Sequence, residues 1–229
     1  MPRASAARRA RYGRAMTSRR LRLAAAIVAI AYIAIQGFQE WVFRVLPEPH
    51  TPGEALVAGG DPLNVARSTA MLAAMFGLVF LYAVVSLQRA RERPVLAGFT
   101  FLAFFLFGLL EIGLRSVELI WTQLELPAGG AASLDKLATF EAVQHALYLP
   151  LGFAVLLGSV LAVCLFASGR KLDRIAQAVF ALDALRTLGR QLTVYAGVEV
   201  FPAHAYEVLY FPLVVAFYAP LAYWLVRRM

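Results

Sequence analysis

The stretch Phe104-Phe-Leu-Phe-Gly-Leu-Leu-Glu-Ile-Gly-Leu-Arg-Ser-Val-Glu-Leu-Ile-Trp121 decides the fold. It is apolar enough to cross a lipid bilayer, yet it carries Glu111, Arg115 and Glu118. At about 100° per residue, these three side chains fall on one stripe of a helix. A charge that faces lipid near the bilayer centre costs about 3 kcal/mol on insertion scales. The stripe must therefore face protein or water, and the helix needs polar partners.

The composition is that of a membrane protein. Of the 229 residues, 61% are hydrophobic and 16% are charged, and the mean hydropathy is +0.68. These values are outside the range of an ordinary soluble domain and predict a multi-pass membrane protein. Cys164 is the only cysteine, so a disulfide within the chain and a cysteine-rich metal site are both excluded. We predict no cofactor and no metal.

Basic residues are concentrated at the start of the chain and in short links between apolar runs. The net charge is +8, and eight of the 22 Lys and Arg residues lie in the first 22 positions. Sixteen of the 22 fall in four segments that the positive-inside rule assigns to the cytoplasm, including both termini. We therefore predict a bacterial cytoplasmic membrane, with lipids rather than nucleic acid as the partner of these charges. The sequence leaves the oligomeric state open.

Apolar runs and turn signals predict an all-α, six-helix transmembrane bundle. Residues 1–22 form a basic arm that we expect to be disordered, and 23–228 form one domain. Asp61-Pro62 is a typical helix cap followed by a first-turn proline. The Pro- and Gly-rich segment 47–60 is predicted as an outer loop. The predicted spans are 23–46, 61–88, 94–123, 133–167, 172–198 and 206–226.

Ionisable residues recur in the outer half of the predicted spans. A rise of ~1.5 Å per residue places Glu111 ~25 Å from the inner face, past the middle of the bilayer. We expect several spans to contribute to one polar cavity there. The candidate acid and base residues are Glu111, Glu118, Glu141, His145 and Asp183. The candidate binding residues are Glu40, Arg44, Arg67, Arg115, Tyr148, Arg186, Arg190, Glu207 and Tyr210.

This pattern supports more than one function. The arginines would hold the head group of an amphipathic lipid or isoprenoid-like molecule, since a guanidinium offers a fixed fork of donors. Acid/base chemistry would then give isomerisation, cyclisation or hydrolysis, although the sequence leaves open whether the protein is an enzyme. A proton-coupled transporter of a small solute is an alternative. Another is a non-catalytic subunit or sensor whose charges pair to hold the helices in register, with His145 as a packing residue.

Three motifs resemble a bacterial family of six-span membrane proteins known only as a domain of unknown function. They are Glu111-Ile-Gly-Leu-Arg-Ser-Val-Glu118, His145-Ala-Leu-Tyr-Leu-Pro-Leu-Gly-Phe153 and Ser168-Gly-Arg-Lys-Leu172. The arginine-rich start and the long loop after the first span are similar as well. The resemblance covers residues 20–226 and implies a six-span fold. It implies no activity, because that family has none that could be carried over.

Overall fold

The computed structural model describes the backbone of residues 2–127, 133–200 and 202–227, and the side chains of 19–127, 134–200, 202 and 208–227. All regular elements in these residues are helices, which confirms the all-α prediction. The helices are α1 (Pro2–Val45), α2 (Pro52–Gly59), α3 (Pro62–Leu87), α4 (Pro94–Val117), a π-helical segment (Glu118–Glu125), α5 (Ser133–Leu165), α6 (Lys171–Tyr195) and α7 (Ala203–Arg227). The basic arm is part of α1, and its predicted boundary at residue 22 stays a prediction.

The six long helices form a closed ring in chain order. Each packs against its predecessor and its successor, and α7 returns to α1. Connections of 5 to 16 residues join consecutive long helices that pack side by side, so neighbouring helices run antiparallel, which is the simplest topology for a bundle. The two basic links, α3–α4 and α5–α6, lie at one end, which we name the link end. The opposite end, which carries α2 and the π-helical segment, is named the loop end.

Five helices of the described part of the chain are long and apolar enough to cross a membrane. These are Arg19–Val45, Pro62–Leu87, Pro94–Glu125, Leu134–Leu165 and Val208–Arg227. They make a multi-pass membrane protein the natural interpretation. Helix α6, the predicted fifth span, is not among them, because every 18-residue stretch of it contains at least three charged residues. A total of six spans therefore stays a prediction, although α6 occupies the place of the fifth span in the ring, between α5 and α7.

Large apolar and aromatic side chains fill the centre of the ring toward the link end. Phe104 stacks on Tyr82, and Phe180 contacts both Phe104 and Phe217. Leu81, Leu165, Phe166, Leu221 and Trp224 complete this fully buried layer. All six long helices contribute to the same core. The centre of the bundle is therefore closed at the link end.

The structure differs from the sequence prediction at the loop end. Segment 47–60 is not entirely loop, since α2 occupies most of it. Thr51 caps this helix by accepting a hydrogen bond from the Glu54 backbone N–H (3.2 Å), and Pro52 occupies its first turn. Leu56 then packs on Leu126 and Leu137, so tertiary contacts stabilise a helix too short to persist alone. The predicted cap at Asp61 is confirmed, with the side chain accepting from Leu63 N–H at 2.8 Å.

Candidate functional site

A cavity lies on the axis of the ring, on the loop-end side of the aromatic layer. Its volume is about 480 Å³, within the usual range of ligand pockets. All six long helices line it. We name it the axial cavity. The charged groups on its wall are Glu111, Arg115, Asp183, Arg186 and Arg190, and the apolar groups include Leu151, Val155, Leu213, Val214 and Phe217.

Tyrosines form the end of the axial cavity nearest the aromatic layer. The Tyr82 and Tyr218 hydroxyls are 3.1 Å apart, and the Tyr32 hydroxyl accepts a hydrogen bond from Gln36 Nε2 at 2.7 Å. Tyr32 and Tyr218 also contact each other through their rings. Because only one proton lies between the Tyr82 and Tyr218 oxygens, the other phenol keeps a proton to donate elsewhere.

A second cavity lies beyond the axial cavity, at the loop end. It measures about 890 Å³, and α1, α2, α3, the π-helical segment, α5 and α7 line it. We name it the loop-end cavity. Its acidic lining residues are Glu40, Glu48, Glu118 and Glu141, and its basic ones are Arg44 and Arg67. Among the described residues, acids thus predominate here, whereas arginines predominate in the axial cavity.

A polar waist joins the two cavities. Arg115 of the axial cavity donates to Glu118 of the loop-end cavity at 2.6 Å. Gln144 of the loop-end cavity contacts the Tyr148 hydroxyl of the axial cavity at 3.4 Å. Tyr210 lines both cavities. The two spaces therefore adjoin across a few hydrogen-bonded side chains.

The ion pairs at the waist form one chain across two helices and the π-helical segment. Arg115 donates from Nε and Nη2 to Glu111 Oε1, at 3.1 and 3.0 Å, and from Nη1 to Glu118. The second oxygen of Glu118 accepts from Arg67 at 3.1 Å. Two acids and two arginines make the chain neutral, as burial requires. Glu111 Oε2 is buried and has no hydrogen-bond partner in the described residues.

Helix α6 supplies the other charges of the axial cavity. Asp183 accepts from Arg186 at 2.9 Å and from the Ser159 hydroxyl of α5 at 2.7 Å. The Arg190 guanidinium lies over the Tyr148 ring, 5.4 Å from its centre. One turn of helix separates each of these α6 residues from the next, so all three reach the same wall.

The structure distributes the predicted site residues over two cavities rather than one. Only Glu207 lies outside the residues whose side chains are described. The axial cavity is lined by Glu111, Arg115, His145, Tyr148, Asp183, Arg186, Arg190 and Tyr210. The loop-end cavity is lined by Glu40, Arg44, Arg67, Glu118, Glu141 and Tyr210. The single chamber that we predicted is therefore divided at the Arg115–Glu118 contact.

His145 lies at the rim of the axial cavity. It is exposed, its carbonyl accepts from the Tyr195 hydroxyl at 2.6 Å, and its ring lies 5.1 Å from the Tyr195 ring centre. Sequence reasoning missed Tyr195, and also Thr187 and Gln191, which line the same wall. The signal was available, since Thr187 and Gln191 follow Asp183 at four-residue spacing on the same face of α6.

The donor set suits an anionic group better than a metal. Within the described residues, no three His, Cys, Asp or Glu side chains form a cluster that could hold a metal ion. Three guanidinium groups and several hydroxyls line the axial cavity instead. Guanidinium groups bind phosphate and carboxylate with paired hydrogen bonds. The carboxylates of Glu111 and Asp183 line the same cavity.

The five long apolar helices indicate a multi-pass membrane protein, and the two cavities give the bundle a polar interior at one end. No family model, no curated protein and no solved structure matches this chain.

Proposed function

We propose that the axial cavity binds an amphipathic molecule, such as a lipid or an isoprenoid-like compound, through an anionic head group. The observation that carries this proposal is that Arg115, Arg186 and Arg190 line one cavity together with apolar and aromatic side chains. A guanidinium cluster fits the head group, and the apolar wall fits the adjoining part of a chain. A volume of about 480 Å³ suits a head group with part of a chain.

The chemistry proposed for the bound molecule is proton transfer, in an isomerisation, cyclisation or hydrolysis. Glu111, Asp183 and His145 line the axial cavity and would contact the ligand there. Glu118 and Glu141, which we also predicted as acids or bases, line the loop-end cavity and would contact only a ligand that extends through the waist. The axial residues are therefore the first candidates for mutation in any assay of turnover.

The proposed topology has six spans with the link end in the cytoplasm of a bacterium. Both basic links and Arg227, the last residue of α7, belong to this end, in agreement with the positive-inside rule. Helix α6 completes an even number of antiparallel helices in the ring. The resemblance to the six-span family and the bacterial cytoplasmic membrane stay predictions.

The experiment that tests the proposal compares wild type, Arg186→Gln and Arg174→Gln in a nonionic detergent. Arg174 is an exposed arginine on the same helix that lines neither cavity, so it is the matched control. Dodecyl phosphate serves as the probe in calorimetric titration, and mass spectrometry identifies co-purifying molecules. Loss of one charge-assisted contact, worth about 1.5 to 3 kcal/mol, lowers the probe affinity by at least about tenfold for Arg186→Gln. Arg174→Gln leaves it unchanged.

The alternative functions predict different results. If the charges only hold helices in register, Arg186→Gln lowers the melting temperature, and neither wild type nor variant binds the probe. A transporter needs a path through the bundle, and the aromatic layer of Tyr82, Phe104, Phe180 and Phe217 closes the axial cavity toward the link end. Transport is therefore the weaker candidate. Probe binding that Arg186→Gln leaves intact would contradict the proposed site.

A further inference from the structure

The two adjoining cavities carry opposite excesses of charge. Three guanidinium groups and two carboxylates line the axial cavity, whereas four carboxylates and two guanidinium groups line the loop-end cavity. The Arg115–Glu118 contact of 2.6 Å lies at the boundary, so the change of sign occurs over one ion pair. A purely anionic head group matches only the first of these surroundings.

Two loop-end carboxylates are available to a ligand. Glu40 pairs with Arg44 at 2.8 Å, and Glu118 pairs with Arg67 and Arg115. Glu48 and Glu141 also line the cavity, and neither forms an ion pair within the described residues. Within the described part of the chain, no basic side chain therefore neutralises their negative charge.

A buried amide provides a second, independent indication of a ligand. Gln123 lines the loop-end cavity and is only 4% exposed. Its Nε2 donates to the Ser68 hydroxyl at 2.6 Å, but its Oε1 has no hydrogen-bond partner in the described part of the chain. A buried acceptor without a donor is costly. The wall of the loop-end cavity therefore contains an amide acceptor for which the described residues supply no donor.

We infer that the loop-end cavity is a subsite for the ammonium group of a zwitterionic amphipathic ligand whose anionic group binds in the axial cavity. This inference rests on the proposed function, which places the anionic group at Arg115, Arg186 and Arg190. The ligand head group would extend across the waist, with its negative group beside the arginines of the axial cavity and its positive group beside Glu48 and Glu141. The chemical class is a phosphoethanolamine-like head group with a primary ammonium.

Two probes that differ only in the ammonium test this inference. Dodecyl phosphoethanolamine and dodecyl ethyl phosphate share a phosphodiester with one negative charge and the same chain. Calorimetric titration of wild type is expected to show at least about fivefold tighter binding of the first probe. Raising the ionic strength is expected to reduce this preference, because the loop-end cavity is open and its charges are screened. The affinity for dodecyl ethyl phosphate is expected to depend less on the carboxylates Glu48 and Glu141, because this probe has no ammonium group.

The variant Glu48→Gln/Glu141→Gln is expected to abolish most of the fivefold preference. Glu125→Gln is the matched control, since Glu125 is an exposed acid of the π-helical segment that lines neither cavity, and it is expected to keep the preference. A preference that survives the double substitution overturns the ammonium subsite. Equal binding of both probes to wild type also overturns it, while the proposed function stands. Binding of neither probe overturns both.

Discussion

Buried ion pairs lie at both ends of the bundle, and only those at the loop end border a described cavity. At the link end, Arg89 is 1% exposed and bonds to Asp173 and Glu92, and the Ser168 hydroxyl donates to the same Asp173 oxygen. At the loop end, Glu111, Arg115, Glu118 and Arg67 form a chain between two cavities. Residue types and burial are similar. Burial of charge alone therefore does not indicate a binding site, and an adjoining volume is needed as well.

The link-end cluster has a clear structural role. Arg89 and Asp173 join the α3–α4 link to the start of α6, and Arg93 donates to the carbonyls of Cys164 and Ala167 at the end of α5. The Cys164 carbonyl also accepts from the Ala167 backbone N–H (3.3 Å), and Arg93 adds a basic donor at the C-terminal end of the helix, where carbonyls lack α-helical partners. The two links are thereby held together. The sequence alone indicated only a topological role for these arginines.

The largest effect that we predict is the loss of stability when the link-end cluster is broken. Arg89→Met leaves the Asp173 charge buried without its guanidinium partner, which lowers the free energy of unfolding by about 3 to 5 kcal/mol. Thermal denaturation in detergent measures this loss. Dodecyl phosphate affinity of the folded fraction is expected to stay at the wild-type value, because Arg89 borders neither cavity.

The double variant Arg89→Met/Asp173→Leu is the control for this prediction. It removes both charges and replaces them with apolar side chains, so it is expected to recover most of the lost stability. A double variant as unstable as the single one would show that the ion pair is not the cause. If folded Arg89→Met no longer bound the probe, the link end would not be purely structural, and the proposed difference between the two ends of the bundle would be wrong.

A smaller effect is expected at the wall of the axial cavity. A Cβ at Gly152 would overlap the Gln191 amide, so Gly152→Ala displaces that side chain from the wall. We expect a loss of about 1 to 3 kcal/mol in stability from overpacking, together with weaker probe binding. Gly113→Ala is the control, because a Cβ at Gly113 meets nothing within 4 Å. It is expected to be neutral or stabilising by up to about 1 kcal/mol.

The tyrosines that end the axial cavity give the next prediction. Tyr82→Phe removes the 3.1 Å contact with the Tyr218 hydroxyl and leaves the stacking on Phe104 in place. One neutral hydrogen bond contributes about 1 kcal/mol, so a modest fall in melting temperature is expected. Tyr223→Phe, which removes an exposed hydroxyl that accepts from Arg227, should change stability less. Equal effects would mean that burial of the Tyr82 hydroxyl is unimportant.

The smallest effect is expected for the pair at the outer end of α1. Arg44 bonds to Glu40 one turn earlier, and 76% of its side chain is exposed. Exposed pairs with this spacing contribute about 0.3 to 0.5 kcal/mol, so Arg44→Ala is expected to alter the melting temperature very little. A large loss of stability would show that this pair resembles the link-end cluster instead.

Helix spans and stripes were predictable because they depend on neighbours along the chain. The Asp61-Pro62 cap and the spacing of Glu111, Arg115 and Glu118 follow from local backbone geometry, and the structure contains them as predicted. Helix α2 was not predictable in this way. Its eight residues are stabilised by Leu126 and Leu137, which lie far away in the sequence.

The sequence by itself determined an all-helical chain with several apolar spans and a polar stripe, since helical periodicity and hydropathy are local properties. Only the tertiary structure decided which charges meet. Arg67 reaches Glu118 and Arg89 reaches Asp173 across different helices, and these pairings depend on helix order, rotation and tilt. The division into two cavities has the same origin, because an enclosed volume arises from the packing of several helices and no single helix encodes it.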